Sequence, residues 1–239
     1  MTVERTMLRR IRQVPGAGPV LSGVARFLRD RSFTGSQRYW EDHYATGGTS
    51  GHGSIGRLAA FKAETLNAVV ARYGVSSVIE FGCGDGEQLA LADYPRYLGL
   101  DVSPTTLTAT MAQFAGDRTK SFLYYDPARF VDHAGLISAD LALSLDVIYH
   151  LVEDDVYDLH LDHVFGSARR LVVLYTSDAD SLTVIERTSP HVLHRRVLHD
   201  VAERFPRWRL SDRIPNRYPY QGSRTETSFA DFLIYEFCG

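Results

Sequence analysis

The chain has 239 residues, a net charge of −3, and 44% hydrophobic against 23% charged residues, the balance of a globular protein long enough to bury a core without staples. The acid excess argues against a nucleic-acid partner, and no apolar run reaches the ~18 residues of a membrane span. Two cysteines, Cys83 and Cys238, make no disulfide framework, and no signal-peptide pattern opens the chain, so a cytoplasmic setting is expected.

Residues 1–56 read as an N-terminal helical extension followed by a lid loop, and residues 57–239 as the main domain. Val3–Ile11 and Val20–Leu28 suit short amphipathic helices on either side of Pro15-Gly16-Ala17-Gly18-Pro19. Such an extension could serve a homodimer, though nothing in it demands one. Residues 37–56 hold Tyr39, Trp40 and Tyr44, then Gly47-Gly48-Thr49-Ser50-Gly51-His52-Gly53-Ser54, and are expected to form a loop. Leu58, Phe61, Leu66, Val69, Val70 and Tyr73 recur at helical spacing until Gly74 stops them.

Beyond Gly74, strands and helices alternate. Strands are expected at Ser77–Phe81, Tyr97–Leu100, Ser121–Tyr125, Leu141–Leu145, Leu171–Tyr175, Trp208–Leu210 and Ser228–Phe237. Helices are expected at Glu87–Ala92, after Ser103-Pro104 (an N-cap and an N1 proline), at Asp154–Phe165 and at His191–Phe205. The pattern predicts an α/β, Rossmann-like, doubly wound sheet of seven strands with helices on both faces.

The strongest chemical signal is Val78-Ile79-Glu80-Phe81-Gly82-Cys83-Gly84-Asp85-Gly86, a buried strand running into a glycine-rich turn. Ligands of open α/β sheets bind outside the carboxyl ends of the strands. Dinucleotide sites use Gly-x-Gly-x-x-Gly, which faces a pyrophosphate. Here the glycines stand at 82, 84 and 86 and Glu80 precedes them. A carboxylate there suits a positive group or hydrogen-bond donors and disfavours a dehydrogenase. Asp101, at the end of the second strand, is placed to accept hydrogen bonds from ribose hydroxyls.

These motifs, over residues 78–151, resemble those of class I S-adenosylmethionine-dependent methyltransferases, and the fold-level likeness runs over residues 57–237. The resemblance implies an antiparallel last strand and S-adenosylmethionine as cofactor. It implies a cofactor-binding set of Glu80, Gly82, Cys83, Gly84, Gly86, Asp101, Val102, Ser103 and Asp146, with Asp126 near adenine. The segment Tyr39-Trp40…Tyr44 followed by Gly47-Gly48-Thr49-Ser50-Gly51 resembles the entry segment of bacterial small-molecule and sugar methyltransferases. It adds Tyr44 and Ser54 on the cofactor and Tyr39 and Trp40 on the acceptor, under a lid that closes.

The Asn/Asp-Pro-Pro-aromatic signature of amino-group methyltransferases is missing after the fourth strand. In its place stand Asp146, Tyr149 and His150, and histidine can deprotonate an alcohol near neutral pH. The expected reaction is transfer to a hydroxyl of a small molecule, a sugar or glycan, with His150 as general base. Asn216, Tyr218 and Tyr220 are expected to wall the acceptor pocket. An N- or carboxyl-methyltransferase and a non-catalytic cofactor-binding subunit are the alternatives. Mg²⁺ is allowed as a second cofactor through Asp146, Asp154 and Asp155, although Asp154 and Asp155 also suit a helix N-terminus. His160 and His163 lack the pattern of a zinc site.

Overall fold

The structure, a computed structural model, describes residues 33–182, 189–223 and 225–239. The segments Val3–Ile11 and Val20–Leu28 lie outside them. Among the described residues no helix is long and apolar enough to cross a membrane.

The strands are β1 (Val78–Phe81), β2 (Tyr97–Asp101), β3 (Lys120–Tyr124), β4 (Ala139–Leu145), β5 (Ala168–Thr176), β6 (Trp208–Ile214) and β7 (Asp231–Phe237). They form one sheet in the order β3-β2-β1-β4-β5-β7-β6. The first five run parallel, and β7 is antiparallel to both β5 and β6. This is the doubly wound sheet with an antiparallel last strand that the sequence implies.

Side-chain alternation sends each central strand to two cores. Val78, Leu141, Leu143, Val173 and Tyr175 pack with Phe61, Leu66 and Val70 of helix α2 (Gly56–Tyr73). Ile79, Phe81, Ala142, Val172 and Leu174 pack on the opposite face. There they meet Leu161 and Val164 of helix α4 (Asp154–Gly166) and Val201 of helix α5 (Val197–Arg204). Strands buried on both faces read as continuous apolar runs, which is why β1, β4 and β5 were legible. The chain order reverses between β1 and its neighbours β2 and β4, so a crevice opens at their carboxyl ends.

Local signals set the helix ends. The Ser103 hydroxyl accepts the Thr106 N–H at 3.1 Å, and Pro104 occupies the first turn of helix α3 (Pro104–Gln113). Gly74 closes α2 in the left-handed conformation.

Three elements differ from expectation. Ser36–Ala45 is a helix, α1, and the loop begins only where the glycines do. Only Ser36 of α1 is buried, so no apolar stripe marked the helix. The segment Glu87–Ala92 makes only a short turn at Leu89–Leu91, because Pro95 follows closely and the chain must enter β2 at Tyr97. Finally, α5 starts at Val197 rather than His191. Its upstream backbone is committed elsewhere: Leu193 N–H donates to the Tyr149 carbonyl at 2.8 Å, and Ala179 N–H donates to the Arg195 carbonyl at 2.7 Å.

Candidate active site

Gly82, Cys83 and Gly84 leave β1 in a tight turn, with φ of 89° at Gly82 and 58° at Gly84. Both need glycine for conformation and for space. A methyl group on Gly82 would overlap the Val147 side chain, and one on Gly84 would overlap Ser50 Oγ. Beneath the turn, Asp101 Oδ2 accepts Gly84 N–H and Oδ1 accepts Ser103 N–H, each at 2.9 Å. Burial pushes the Asp101 carboxyl up to about 6, against these backbone bonds, which favour the charged form. Glu80 is buried and accepts the Tyr97 hydroxyl at 2.7 Å. Burial raises it to about 7, while the Tyr97 bond and the Lys62 charge oppose the rise. Buried Cys83 lies beside these two carboxylates, and burial pushes its thiol well up, so it is an inert thiol.

The segment at 36–54 lies directly on this turn. Glu41 of α1 accepts the Ser103 hydroxyl at 2.5 Å and the Thr105 hydroxyl at 2.5 Å, at the N-terminus of α3. Ser50 N–H donates to Asp85 Oδ2 at 2.7 Å, and Asp85 N–H donates back to Ser50 Oγ at 3.1 Å. The Tyr44 hydroxyl pairs with the same Oγ at 2.9 Å. Tyr44 is thus beside Gly84, and burial raises its phenol further above the usual range. Ser54 ends a short turn, His52–Ser54, whose Gly53 closely approaches Asp146.

Asp146 follows β4 and carries a φ of 60°, unique among the described non-glycine residues. Its Oδ2 accepts the Lys62 ammonium at 2.6 Å and its Oδ1 accepts the Tyr149 hydroxyl at 2.7 Å. His150 sits at the end of the turn Ile148–His150. Its Nδ1 lies 3.1 Å from the His191 carbonyl, which can only accept, so Nδ1 carries the proton and Nε2 the lone pair. Burial is the main cause that lowers the imidazole to about 4.

Rings surround this imidazole. Trp40 meets His150 edge-on at 4.9 Å, and His191 stacks on it at 5.5 Å. Tyr39 stacks on His191 at 4.3 Å. Tyr149 leads to His194 at 6.2 Å, His194 to Phe229 at 5.3 Å, and Phe229 to Tyr220 at 3.8 Å.

The structure therefore brings Glu80, Gly82, Cys83, Gly84, Asp101, Ser103 and Tyr44 together at one end, and Asp146, Tyr149, His150, Tyr39 and Trp40 at the other. Gly86 packs against Phe114 and Thr110, below the turn. Val102 is half-buried between Asp101 and Ser103. Asp126 lies just beyond β3, where it pairs with Arg129 at 3.6 Å. Asn216 is buried, and its amide is engaged by Tyr175, Ala230 and the Tyr218 N–H. Tyr218 packs on Phe61 and beneath Arg57.

The magnesium candidates do not gather. Both oxygens of Asp146 are engaged, Asp154 pairs with Arg195 in the first turn of α4, and Asp155 is exposed beside it. Among the described residues no group of three or more His, Cys, Asp or Glu could hold a metal. His160 bonds Ser144 at 2.8 Å in the core, and His163 bonds Tyr125 at 2.7 Å. Sequence reasoning missed Lys62, Glu41, Ser50, Asp85, His191 and His194. The one available signal was Lys62, a lysine inside an apolar stripe.

No protein-family model matches the chain. A small RNA 2′-O-methyltransferase of Arabidopsis thaliana is 29% identical over 126 residues, which make up 48% of this chain and 13% of that protein. The chain thus spans a small part of that relative's length. Among solved structures, the methyltransferase domain of bacterial CtHen1-C superposes with a TM-score of 0.57 at 17% identity, over 74% of this chain and 97% of that one. The N-methyltransferase NodS of Bradyrhizobium japonicum, in complex with S-adenosyl-L-homocysteine, gives 0.63 at 16% identity, over 85% and 97%. Magnesium protoporphyrin IX methyltransferase of Synechocystis, with bound S-adenosylhomocysteine, gives 0.58 at 14% identity, over 84% and 97%. The fold is that of the class I S-adenosylmethionine-dependent methyltransferases.

Proposed function

We propose that the chain is an S-adenosylmethionine-dependent methyltransferase whose acceptor is a hydroxyl, on a sugar or glycan, with His150 as general base. The observation that carries the oxygen reading is the His150 imidazole, neutral and fixed with its Nε2 lone pair unprotonated.

The residues at the glycine turn suit the cofactor. Asp101 takes the Gly84 amide on one oxygen and the Ser103 amide on the other, and a carboxylate has about four lone-pair sites, which leaves room for a ribose hydroxyl. The closely packed turn at Gly82 and Gly84 brings backbone to the ligand, and Glu80 adds negative charge beneath it. Tyr44 and Ser54 close the pocket from the lid. When bound, the sulfonium cofactor supplies the methyl group and takes the C–S electron pair as that bond breaks.

His150 Nε2 takes the hydroxyl proton as the new C–O bond forms. An imidazole lowered to about 4 is a weak base toward a resting alcohol. An oxygen that is being alkylated becomes far more acidic, so the transfer is favourable once bond formation is under way. Tyr149 and Asp146 flank this position. The rings of Tyr39, Trp40 and Tyr220 offer flat faces of the kind that stack on sugar rings. The Arabidopsis relative is named a small RNA 2′-O-methyltransferase, an oxygen-directed activity as well.

The test is transfer of labelled methyl from S-adenosylmethionine to a panel of methyl glycosides, nucleosides and matched amines. Transfer to glycosides, with His150→Ala lowering kcat by ~10²–10⁴ and leaving S-adenosylhomocysteine affinity intact, is the expected result. Transfer only to amines, or full turnover by His150→Ala, refutes the oxygen assignment.

A further inference from the structure

Lys62 is one of two lysines in a chain with 26 Lys and Arg residues. It stands on the sheet-facing side of α2, among Leu58, Ala59, Phe61 and Leu66, and its side chain is 1% exposed. An unpaired ammonium there would cost several kcal/mol, so the site exists only with its counterion. That counterion is Asp146, at 2.6 Å, with the Tyr175 ring 5.4 Å from the ammonium.

The pair is lopsided. Lys62 is sealed inside, while the Asp146 side chain is 16% exposed at the carboxyl end of β4. Asp146 also holds a left-handed backbone, a strained choice for a non-glycine residue. Replacing a buried ion pair by apolar residues is often neutral or stabilising. Burial, strain and pairing are thus concentrated on one carboxylate and yield no obvious gain in stability. What they yield is a negative charge of fixed position, with Tyr149 on its other oxygen.

We propose that Lys62 is a positioning residue for the methyl donor: it fixes the place and orientation of the Asp146 carboxylate, which meets the positive centre of the donor. This rests on the cofactor reading above. The charged or titratable groups facing Asp146 are Lys62 from α2, Tyr149 and His150 from the turn after β4, and Tyr175 from β5.

The test compares two ligands that differ at that centre. S-adenosylmethionine carries a sulfonium and S-adenosylhomocysteine a neutral thioether, and calorimetry gives both affinities without any acceptor. In Lys62→Met, whose Asp146 carboxylate is no longer held in place, affinity for S-adenosylhomocysteine stays within about threefold, and the sulfonium preference drops about tenfold, the scale of one lost charge contact near a protein surface. In Asp146→Asn the preference is lost.

An unchanged preference in either variant overturns the proposal, as does an equal fall for both ligands, which would mark a scaffolding pair. Should either single variant not fold, the double variant Lys62→Met, Asp146→Asn, which buries no unpaired charge, is read for the same loss of preference. A wild type that binds neither ligand overturns the cofactor reading and this assignment together, an outcome distinct from the others.

Discussion

Ser50 and Asp85 hold each other in both directions, amide to carboxylate at 2.7 Å and amide to hydroxyl at 3.1 Å. The pair ties the glycine-rich loop to the turn after β1, so moving the loop away breaks two polar contacts worth ~0.5–1.5 kcal/mol each. Asp85→Ala is expected to speed S-adenosylhomocysteine release about tenfold in stopped-flow displacement, with little change in thermal midpoint. An unchanged release rate would mean that the loop does not gate the pocket.

Asp101 holds the turn itself, besides the ribose contact proposed for it. Asp101→Ala strands the Gly84 and Ser103 amides, both buried, at a cost of ~1–3 kcal/mol each. Both S-adenosylhomocysteine affinity and urea stability are expected to fall. Loss of affinity at unchanged stability would show that the amides find other partners.

Gly53 is constrained by a neighbour rather than by its backbone. A Cβ there would lie 2.9 Å from Asp146 Oδ2, which Lys62 holds in place. Gly53→Ala should therefore weaken cofactor binding several-fold and leave the melting temperature nearly unchanged, because His52 is exposed and Gly53 and Ser54 are only half-buried. Calorimetry beside a thermal melt separates the two effects.

His160 makes the core acid-sensitive. Burial lowers its imidazole from an ordinary 6.5 to about 3. The unfolded chain therefore binds a proton that the folded chain refuses. The stability this represents is fully present above pH 6.5 and drains away as pH falls from 6.5 toward 3. His160→Gln is expected to reduce the fall of the urea midpoint between pH 7 and pH 4.5, the remaining share coming from His150, which burial lowers likewise. A variant as acid-sensitive as the wild type would place the proton uptake elsewhere.

What was legible follows from what is local. Glu80 and the glycines after it, the Ser103 cap and the apolar runs of β1, β4 and β5 each carry their own signature. Helix α1 does not, since its anchors are Glu41 on α3 and Ser36 on Glu153, 117 residues away. His191 and His194 looked like the first turn of a helix, but a bond to the Tyr149 carbonyl decides their path. Lys62 broke an apolar stripe visibly, yet its partner stands 84 residues on, beyond any periodicity.

Trp40 faces His150 at 4.9 Å, and the only other tryptophan, Trp208, packs against Phe165 and Phe237 on the far edge strand. Indole emission responds to a nearby imidazole and to water, so Trp40 is a fluorophore built into the pocket. In a Trp208→Phe background a single residue would report ligand entry optically, with no label and no need to know the acceptor beforehand.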